Sequence, residues 1–351
     1  MPLDEPSWWY GAPHSRMARV LRPVARLYSW MAVRRLSAQQ PYRSRLPVIC
    51  VGNFTAGGTG KTPLTLEIAR RLKAMGENPV ILTRGYGGRT AGPHWVVPQH
   101  DTARDVGDEP LLLARAAPTL IARDRRAGAI AIETSAAGHT VIVMDDGLQN
   151  PSLTKDLTFA VIDARRGLGN GEVIPAGPLR APIEAQLALV DAILVNSPST
   201  RSATDGEAIA RLRREFPGPA LGAGISVEGD TTWISQTPLL AFAGIANPER
   251  FFLLLQSYGG RLAETRVFKD HHAFKNSELR DLHERARSIG AQLVTTEKDY
   301  VRLLACTDEA HRLADSVRIL PIRLDLEDID SARLDALLEG TLRTGGYRGG
   351  H

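Results

Sequence analysis

The chain has 351 residues, 43% of them hydrophobic, and a formal net charge of +4, enough to fill the cores of two domains. Its two cysteines, Cys50 and Cys306, stand far apart, so no disulfide framework is expected and a reducing compartment is the easier setting. No run approaches the roughly 18 consecutive apolar residues of a spanning helix, and the first thirty residues carry charges and tryptophans where a signal peptide needs an unbroken apolar core.

Charge is unevenly spread. Residues 1–47 hold eight arginines and two acids, a net +6, so the rest of the chain is slightly acidic. That argues against a nucleic-acid protein with a broad basic face and predicts one local anionic contact. In this segment Trp8, Trp9 and Tyr10 precede an apolar stripe, Met17, Val20, Leu21, Val24, Leu27, Tyr28 and Met31, at helical spacing. Pro23 predicts a kink or a second helix starting there. Interfacial aromatics, arginines and a modest apolar face suit a helix lying on a bilayer. A helix packed on the protein's own core fits the same pattern.

Next comes VGNFTAGGTGKTP, residues 51–63, after the apolar run LPVIC and before the helical pattern LTLEIARRL. Gly60, Lys61 and Thr62 match the end of the phosphate-loop pattern G-x-x-x-x-G-K-[ST], with Thr55 in the first glycine position. Gly57 and Gly58 permit a turn whose backbone amides approach an anion, so Thr55, Ala56, Gly57, Gly58, Thr59, Gly60, Lys61 and Thr62 form a candidate phosphate cradle. Lys61 would reach the β- and γ-phosphates, and the Thr62 hydroxyl would ligate Mg²⁺.

Further along, PVILT leads into Arg84 and three glycines, a ligand-bearing strand edge. DVGDEP places Asp108 and Glu109 before an apolar helix, where Asp108 is either a cap or a chemical group. VIVM is a buried-strand pattern ending in Asp145 and Asp146, two carboxylates where open α/β sheets bind ligands and where Mg²⁺ would be held with Thr62. PAGPLRAP holds Arg180 in a proline-constrained loop, and VFKDHHAF puts His271 and His272 after a short strand. TTEKDY approaches a guanine-reading [NT]-K-x-D motif, but Lys298 and Asp299 are adjacent and the spacing is wrong. A phosphoryl-transfer enzyme acting on a small molecule or lipid then needs a base near the acceptor hydroxyl.

In order, GNFTAGGTGKTP, LTRGYGG, VGDEP, VIVMDDGLQNPSL, NGEVIPAGPLRAP, FKDHHAF and LVTTEKD resemble the tetraacyldisaccharide 4′-kinase family of lipid A synthesis, over about residues 6–305. Threonine at the first phosphate-loop glycine belongs to that family's pattern. The resemblance implies transfer of the ATP γ-phosphate to the 4′-hydroxyl of a tetraacylated glucosamine disaccharide 1-phosphate. It implies Asp108 as base with His271 as its partner, Asp145 and Asp146 as magnesium and catalytic carboxylates, and Gln149 near them. Arg84, Gln149 and Arg180 are candidate substrate contacts. It also implies peripheral attachment to the cytoplasmic face of the inner membrane, with no nucleic acid and no obligate protein partner. A membrane-associated phosphate-loop ATPase or nucleotide switch, without an acceptor hydroxyl, is the other class the loop permits.

The expected fold is α/β: a phosphate-loop NTPase-like, doubly wound, mostly parallel sheet with a second, smaller α/β domain and an N-terminal amphipathic membrane-surface helix. The expected divisions are 1–46 for the basic N-terminal segment, 47–221 for the nucleotide-binding domain, 222–345 for the smaller domain and 346–351 for a flexible tail. Strands are expected at 47–52, 79–83, 141–145, 158–163 and 192–196, and then near 239–243, 264–268, 292–295 and 318–322.

Overall fold

Two sheets organise the chain in a computed structural model that describes residues 6–10, 15–37, 40–197, 212, 214–304 and 316–346. A 3₁₀ turn at Ser7–Trp9 precedes helix α1 (Arg16–Ser37). Strands β1 (Val48–Gly52), β2 (Pro79–Thr83), β3 (His94–Trp95), β4 (Thr119–Ile121), β5 (Val141–Asp145), β6 (Leu157–Asp163), β7 (Ala192–Asn196) and β8 (Ala220–Val227) follow. Between them lie α2 (Lys61–Ala74), α3 (Ala103–Val106), α4 (Asp108–Ala116), α5 (Arg125–Glu133) and α6 (Ile183–Leu187). The chain continues through α7 (Trp233–Gln236), β9 (Leu239–Ala243), α8 (Pro248–Ser257), β10 (Leu262–Val267), α9 (Asn276–Ser288), β11 (Gln292–Thr296), α10 (Glu297–Leu304), β12 (Arg318–Leu320), β13 (Ile322–Leu326) and α11 (Asp328–Gly346).

Among the described residues the larger sheet runs β13-β8-β7-β6-β1-β5-β2-β4-β3, parallel except where β13 meets β8 and β3 meets β4. Strands β1, β2, β5, β6 and β7 are buried on both faces, which is why they read as continuous apolar runs. Alternate residues face opposite layers. Ile49, Val51, Val141 and Val143 pack with Leu64, Ile68 and Leu72 of α2 and Leu113 of α4. Cys50, Val48, Ile142 and Met144 pack with Ala129 and Ile132 of α5. Burial pushes the Cys50 thiol up to about 11, as fits a packing residue; Cys306 lies outside the described residues. The smaller sheet, β10-β9-β11-β12, is parallel throughout. It packs Leu240, Phe242 and Leu293 on Leu279, Leu282 and Ala286 of α9.

Two features differ from the sequence reading. Helix α1 is one continuous helix through Pro23, neither split nor restarted there. Residues 322–346 return to the larger sheet instead of closing the smaller domain. β13 pairs antiparallel with β8, Ile322 opposite Val227 and Leu326 opposite Ala223. Leu324, Leu334 and Leu338 complete the α2-side core, and Arg71 on α2 holds Asp335 at 2.7 Å. The smaller unit is thus an insertion between β8 and β13, and the return strand covers an edge that β8 would otherwise leave unpaired. The expected tail lies, past Gly346, outside the described residues. Because Leu334 is fully buried in the larger core, Leu334→Ala should destabilise that unit by about 2–5 kcal/mol, measured by urea unfolding. A change under about 0.5 kcal/mol, as at an open surface site, would contradict this placement of α11.

Candidate active site

The phosphate loop leaves β1, whose neighbours are β5 and β6, so it emerges where chain connections diverge to the two halves of the sheet. Gly60 caps α2 with φ 90°, and a Cβ there would stand 2.1 Å from the Asn196 side-chain nitrogen. Only glycine fits. Loop carbonyls are drawn outward: Asn53 Nδ2 donates to Thr55 O at 2.7 Å and Gly57 O at 3.4 Å, and Asn196 Nδ2 donates to Thr59 O at 3.2 Å. In a planar trans peptide the N–H points opposite the C=O, so the Gly58 and Gly60 amides turn into the loop, beside the first turn of α2. Ala56 differs from expectation, because its N–H is already spent on Pro178 O at 2.8 Å. Asn53 and Asn196 are fully buried and carried no local sequence signal.

Asp145 and Asp146 end β5 in contrasting surroundings. Asp145 is buried and accepts from the hydroxyls of Thr65 at 3.2 Å and Thr83 at 3.1 Å, one helical turn beyond the expected partner Thr62. Burial, with Glu109 and Asp146 nearby, pushes its carboxyl up to about 6. Asp146 takes a left-handed φ of 49°, a strained conformation for a residue with a Cβ. Burial would raise its pKa, but Arg180 at 2.8 Å and Lys61 at 3.6 Å outweigh that and hold it well below the usual carboxylate range. Behind both, Arg125 is 2% exposed and donates to Ala122 O at 2.5 Å and Asp145 O at 3.4 Å.

Arg180 and Gln149, expected to meet substrate, make contacts within the protein. Arg180 spans Asp146, Thr55 O at 3.1 Å and Gln149 Oε1 at 3.4 Å, while Gln149 Nε2 donates to Asn53 O and Gln186 Oε1. Arg84 is exposed after β2, next to Gly85 and Tyr86.

Asp108 does not cap its helix. Gly107, at φ 93°, occupies the cap, and a Cβ there would strike Tyr86 O at 2.4 Å. Asp108 instead meets the smaller unit, with Oδ2 3.3 Å from His271 Nδ1, paired with Arg302 and 3.9 Å from Lys298. Burial would raise its pKa, but the bond to His271 and the charges of Lys298 and Arg302 hold it far below the usual carboxylate range. Lys298 also pairs with Glu109 at 3.1 Å. His271 has φ 57° and stacks obliquely against Tyr86, with ring centroids 5.6 Å apart. His272 turns away to Glu278 at 2.9 Å between Phe268 and Phe274, a structural histidine. The smaller unit has a second seat where Arg250 of α8 reaches Asn196 Oδ1 at 2.5 Å and Asp163 at 3.3 Å. Glu109, Lys298 and Arg302 were missed as site residues, although TTEKDY drew notice as a failed base-reading motif.

Comparison with known proteins shows the family. The chain matches the family Tetraacyldisaccharide-1-P 4′-kinase over residues 17–343. It is 47% identical over 339 residues to the tetraacyldisaccharide 4′-kinase of Methylobacterium nodulans, covering 96% of each chain. It is 47% identical over 346 residues to that of Methylobacterium sp. strain 4-46, covering 97% of this chain and 98% of the other. Its fold is similar to the crystal structure of LpxK from Aquifex aeolicus in complex with ATP, with TM-score 0.71 and 23% identity, over 93% of this chain and 99% of the other. The chain belongs to the tetraacyldisaccharide-1-P 4′-kinase family.

Proposed function

We propose that this protein transfers the γ-phosphoryl group of ATP to the 4′-hydroxyl of a tetraacylated glucosamine disaccharide 1-phosphate in lipid A biosynthesis. One observation carries the reading: the family match over residues 17–343 spans both a phosphate loop and an Asp108–His271 pair contributed by two separate units. A switch or simple ATPase has no need of such a pair, whereas an alcohol acceptor needs somewhere for its proton to go. Inward-facing amides of Gly58 and Gly60, Lys61 and the N-terminus of α2 would hold the phosphates.

The donor set suits a hard divalent cation, because buried Asp145 carries a carboxyl raised by desolvation and by neighbouring negative charge that a cation would offset. Thr62, Asp145 and Asp146 would hold Mg²⁺, which when bound would neutralise charge on the phosphate oxygens. Among the described residues no group of three or more His, Cys, Asp or Glu side chains is placed to enclose a metal. Mg²⁺ commonly takes one or two carboxylates and fills its shell with phosphate and water.

Peripheral attachment to the cytoplasmic face of the inner membrane is supported by α1. Val20, Val24, Leu27, Trp30 and Met31 are each about half or more exposed, while Ala18 and Ala25 face the protein. No helix among the described residues is long and apolar enough to cross a membrane. Arg22 pairs with Glu172 at 2.9 Å, and Asn170 binds the backbone of Trp8 and Trp9. These contacts fasten α1 and the turn before it to the loop that leads to Arg180.

Three outcomes test this reading. Asp108→Ala should lower kcat for lipid phosphorylation by about 10²–10⁴-fold with ATP affinity within a few-fold; ATP hydrolysis without phosphorylated lipid in the wild type would favour the switch or ATPase class. Replacing Val20, Val24 and Leu27 together with Ser should abolish co-sedimentation with anionic vesicles, and unchanged partitioning would sink the membrane role of α1. The third concerns Asp145. Its raised folded pKa contributes stability that is present below the unfolded value of about 3.9 and lost as pH rises through about 6. Asp145→Asn should therefore melt a few degrees above wild type at pH 7.5 in chelator, on the order of 3 °C, with the gap closing near pH 4.5 and phosphotransfer lost. Equal melting temperatures at both pH values would mean that the charge is not strained.

A further inference from the structure

We propose that the cavity between α1 and residues 171–184 holds the headgroup of a zwitterionic aminophospholipid, with Arg26 on its phosphate and Glu184 on its ammonium. The source of that lipid is the membrane on which α1 lies, so the inference rests on the membrane reading above and not on the transfer reaction.

The cavity measures about 370 Å³, within the roughly 300–1,000 Å³ of small-molecule sites. One wall is the face of α1 that carries Arg22, Ala25, Arg26 and Ser29, one or two turns apart. The facing segment contributes Glu172 and Glu184. Two arginines and two glutamates leave the walls formally neutral. Arg22 and Glu172 satisfy each other, with Nε and Nη2 both 2.9 Å from Oε1. Among the described residues the Arg26 and Glu184 side chains have no hydrogen-bond or ion-pair partner, and both are exposed. The Ser29 hydroxyl donates to Ala25 O at 2.7 Å, which leaves its oxygen as an acceptor.

That set of groups selects a ligand. A purely anionic molecule would meet the glutamates as well as the arginines, and a purely cationic one would meet the arginines. A molecule with one charge of each sign satisfies Arg26 and Glu184 together. The guanidinium fork suits a phosphate diester. A primary ammonium, like that of lysine, brings three N–H donors, enough for both Glu184 and Ser29. A trimethylammonium brings none, so the cavity distinguishes an ethanolamine from a choline headgroup.

Depth fits as well. Val20, Val24, Leu27 and Met31 are exposed on the side of α1 opposite the cavity. A helix is about 10–12 Å across, and the headgroup layer is about 5–7 Å deep on each side of a bilayer. With the apolar stripe in the hydrocarbon and the helix axis at its boundary, the cavity face stands among the headgroups.

The test uses the full chain and two vesicle sets with equal phosphatidylglycerol, the remainder being phosphatidylethanolamine in one and phosphatidylcholine in the other. Wild type should partition about fivefold more strongly onto the first set. Glu184→Gln should remove that preference while still binding the second set, and Glu184→Asp should restore part of it. Glu184 is exposed, so its replacement leaves the fold intact. Packing differences between the two bilayers act on the apolar stripe of all three proteins. A preference that survives Glu184→Gln therefore comes from packing and overturns the proposal. Soluble probes remove the bilayer altogether: glycerophosphoethanolamine should bind wild type about fivefold more tightly than glycerophosphocholine. Equal binding overturns the headgroup assignment whether or not α1 lies on a membrane. A vesicle preference unmoved by Glu184→Gln, together with a raised KM for the acylated disaccharide in detergent, would give the cavity to the acceptor and overturn the proposal.

Discussion

Two adjacent carboxylates at the end of a buried strand cannot both be ionised unless positive charge is brought to them from elsewhere in the chain. At the end of β5 that charge comes from three segments: Lys61 at the start of α2, Arg180 in the proline-rich loop and Arg125 on α5. The supply is unequal. Asp146 receives Lys61 and Arg180 directly, whereas Asp145 receives two hydroxyls and only a backbone contact from Arg125. Their pKa values are driven apart, and such a split separates roles between neighbouring acids. The left-handed backbone at Asp146 belongs to the same arrangement, since it turns consecutive side chains of one strand end toward different partners.

Much of this was legible in the sequence because it is local. A fully buried strand reads as an apolar run, so the central strands were expected within a residue of their observed positions. Gly60, Lys61 and Thr62 announce a phosphate loop through spacing alone, and Asp145 and Asp146 announce themselves by ending an apolar strand. The illegible parts are contacts between distant segments. Asn53 and Asn196 set the direction of the loop peptides, but an asparagine at a strand end has no period to betray it. Arg302 is separated by 194 residues from Asp108. The return of β13 to β8 was hidden for a related reason: a short strand does not state which sheet it joins, and residues 222–345 were expected as one domain.

Glycine and proline signals had mixed value. Asp108 was read as either a cap or a chemical group, whereas Gly107 is the cap and its positive φ lets Tyr86 approach. Pro23 was read as a kink or the start of a second helix, and it lies inside one long helix whose large apolar side chains face away from the protein. Local rules describe isolated elements well and say less about a helix whose large apolar side chains are exposed.

The smaller unit makes chemical sense as an insertion seated at two unequal places. At one, α10 meets α4 through Arg302–Asp108 and Lys298–Glu109, and Val301 joins the apolar cluster of Val106, Leu111 and Leu112. At the other, Arg250 crosses to Asn196, Ser197 O and Asp163, and Arg166 donates to Ala246 O at 3.2 Å. Apolar burial together with buried ion pairs is harder to separate than polar bridges alone. The α10 seat is therefore the firmer of the two, and it is the seat that holds His271 against Asp108. The Arg250 seat ends on the Asn196 amide oxygen, and the amide nitrogen of that residue donates to the Thr59 carbonyl in the phosphate loop.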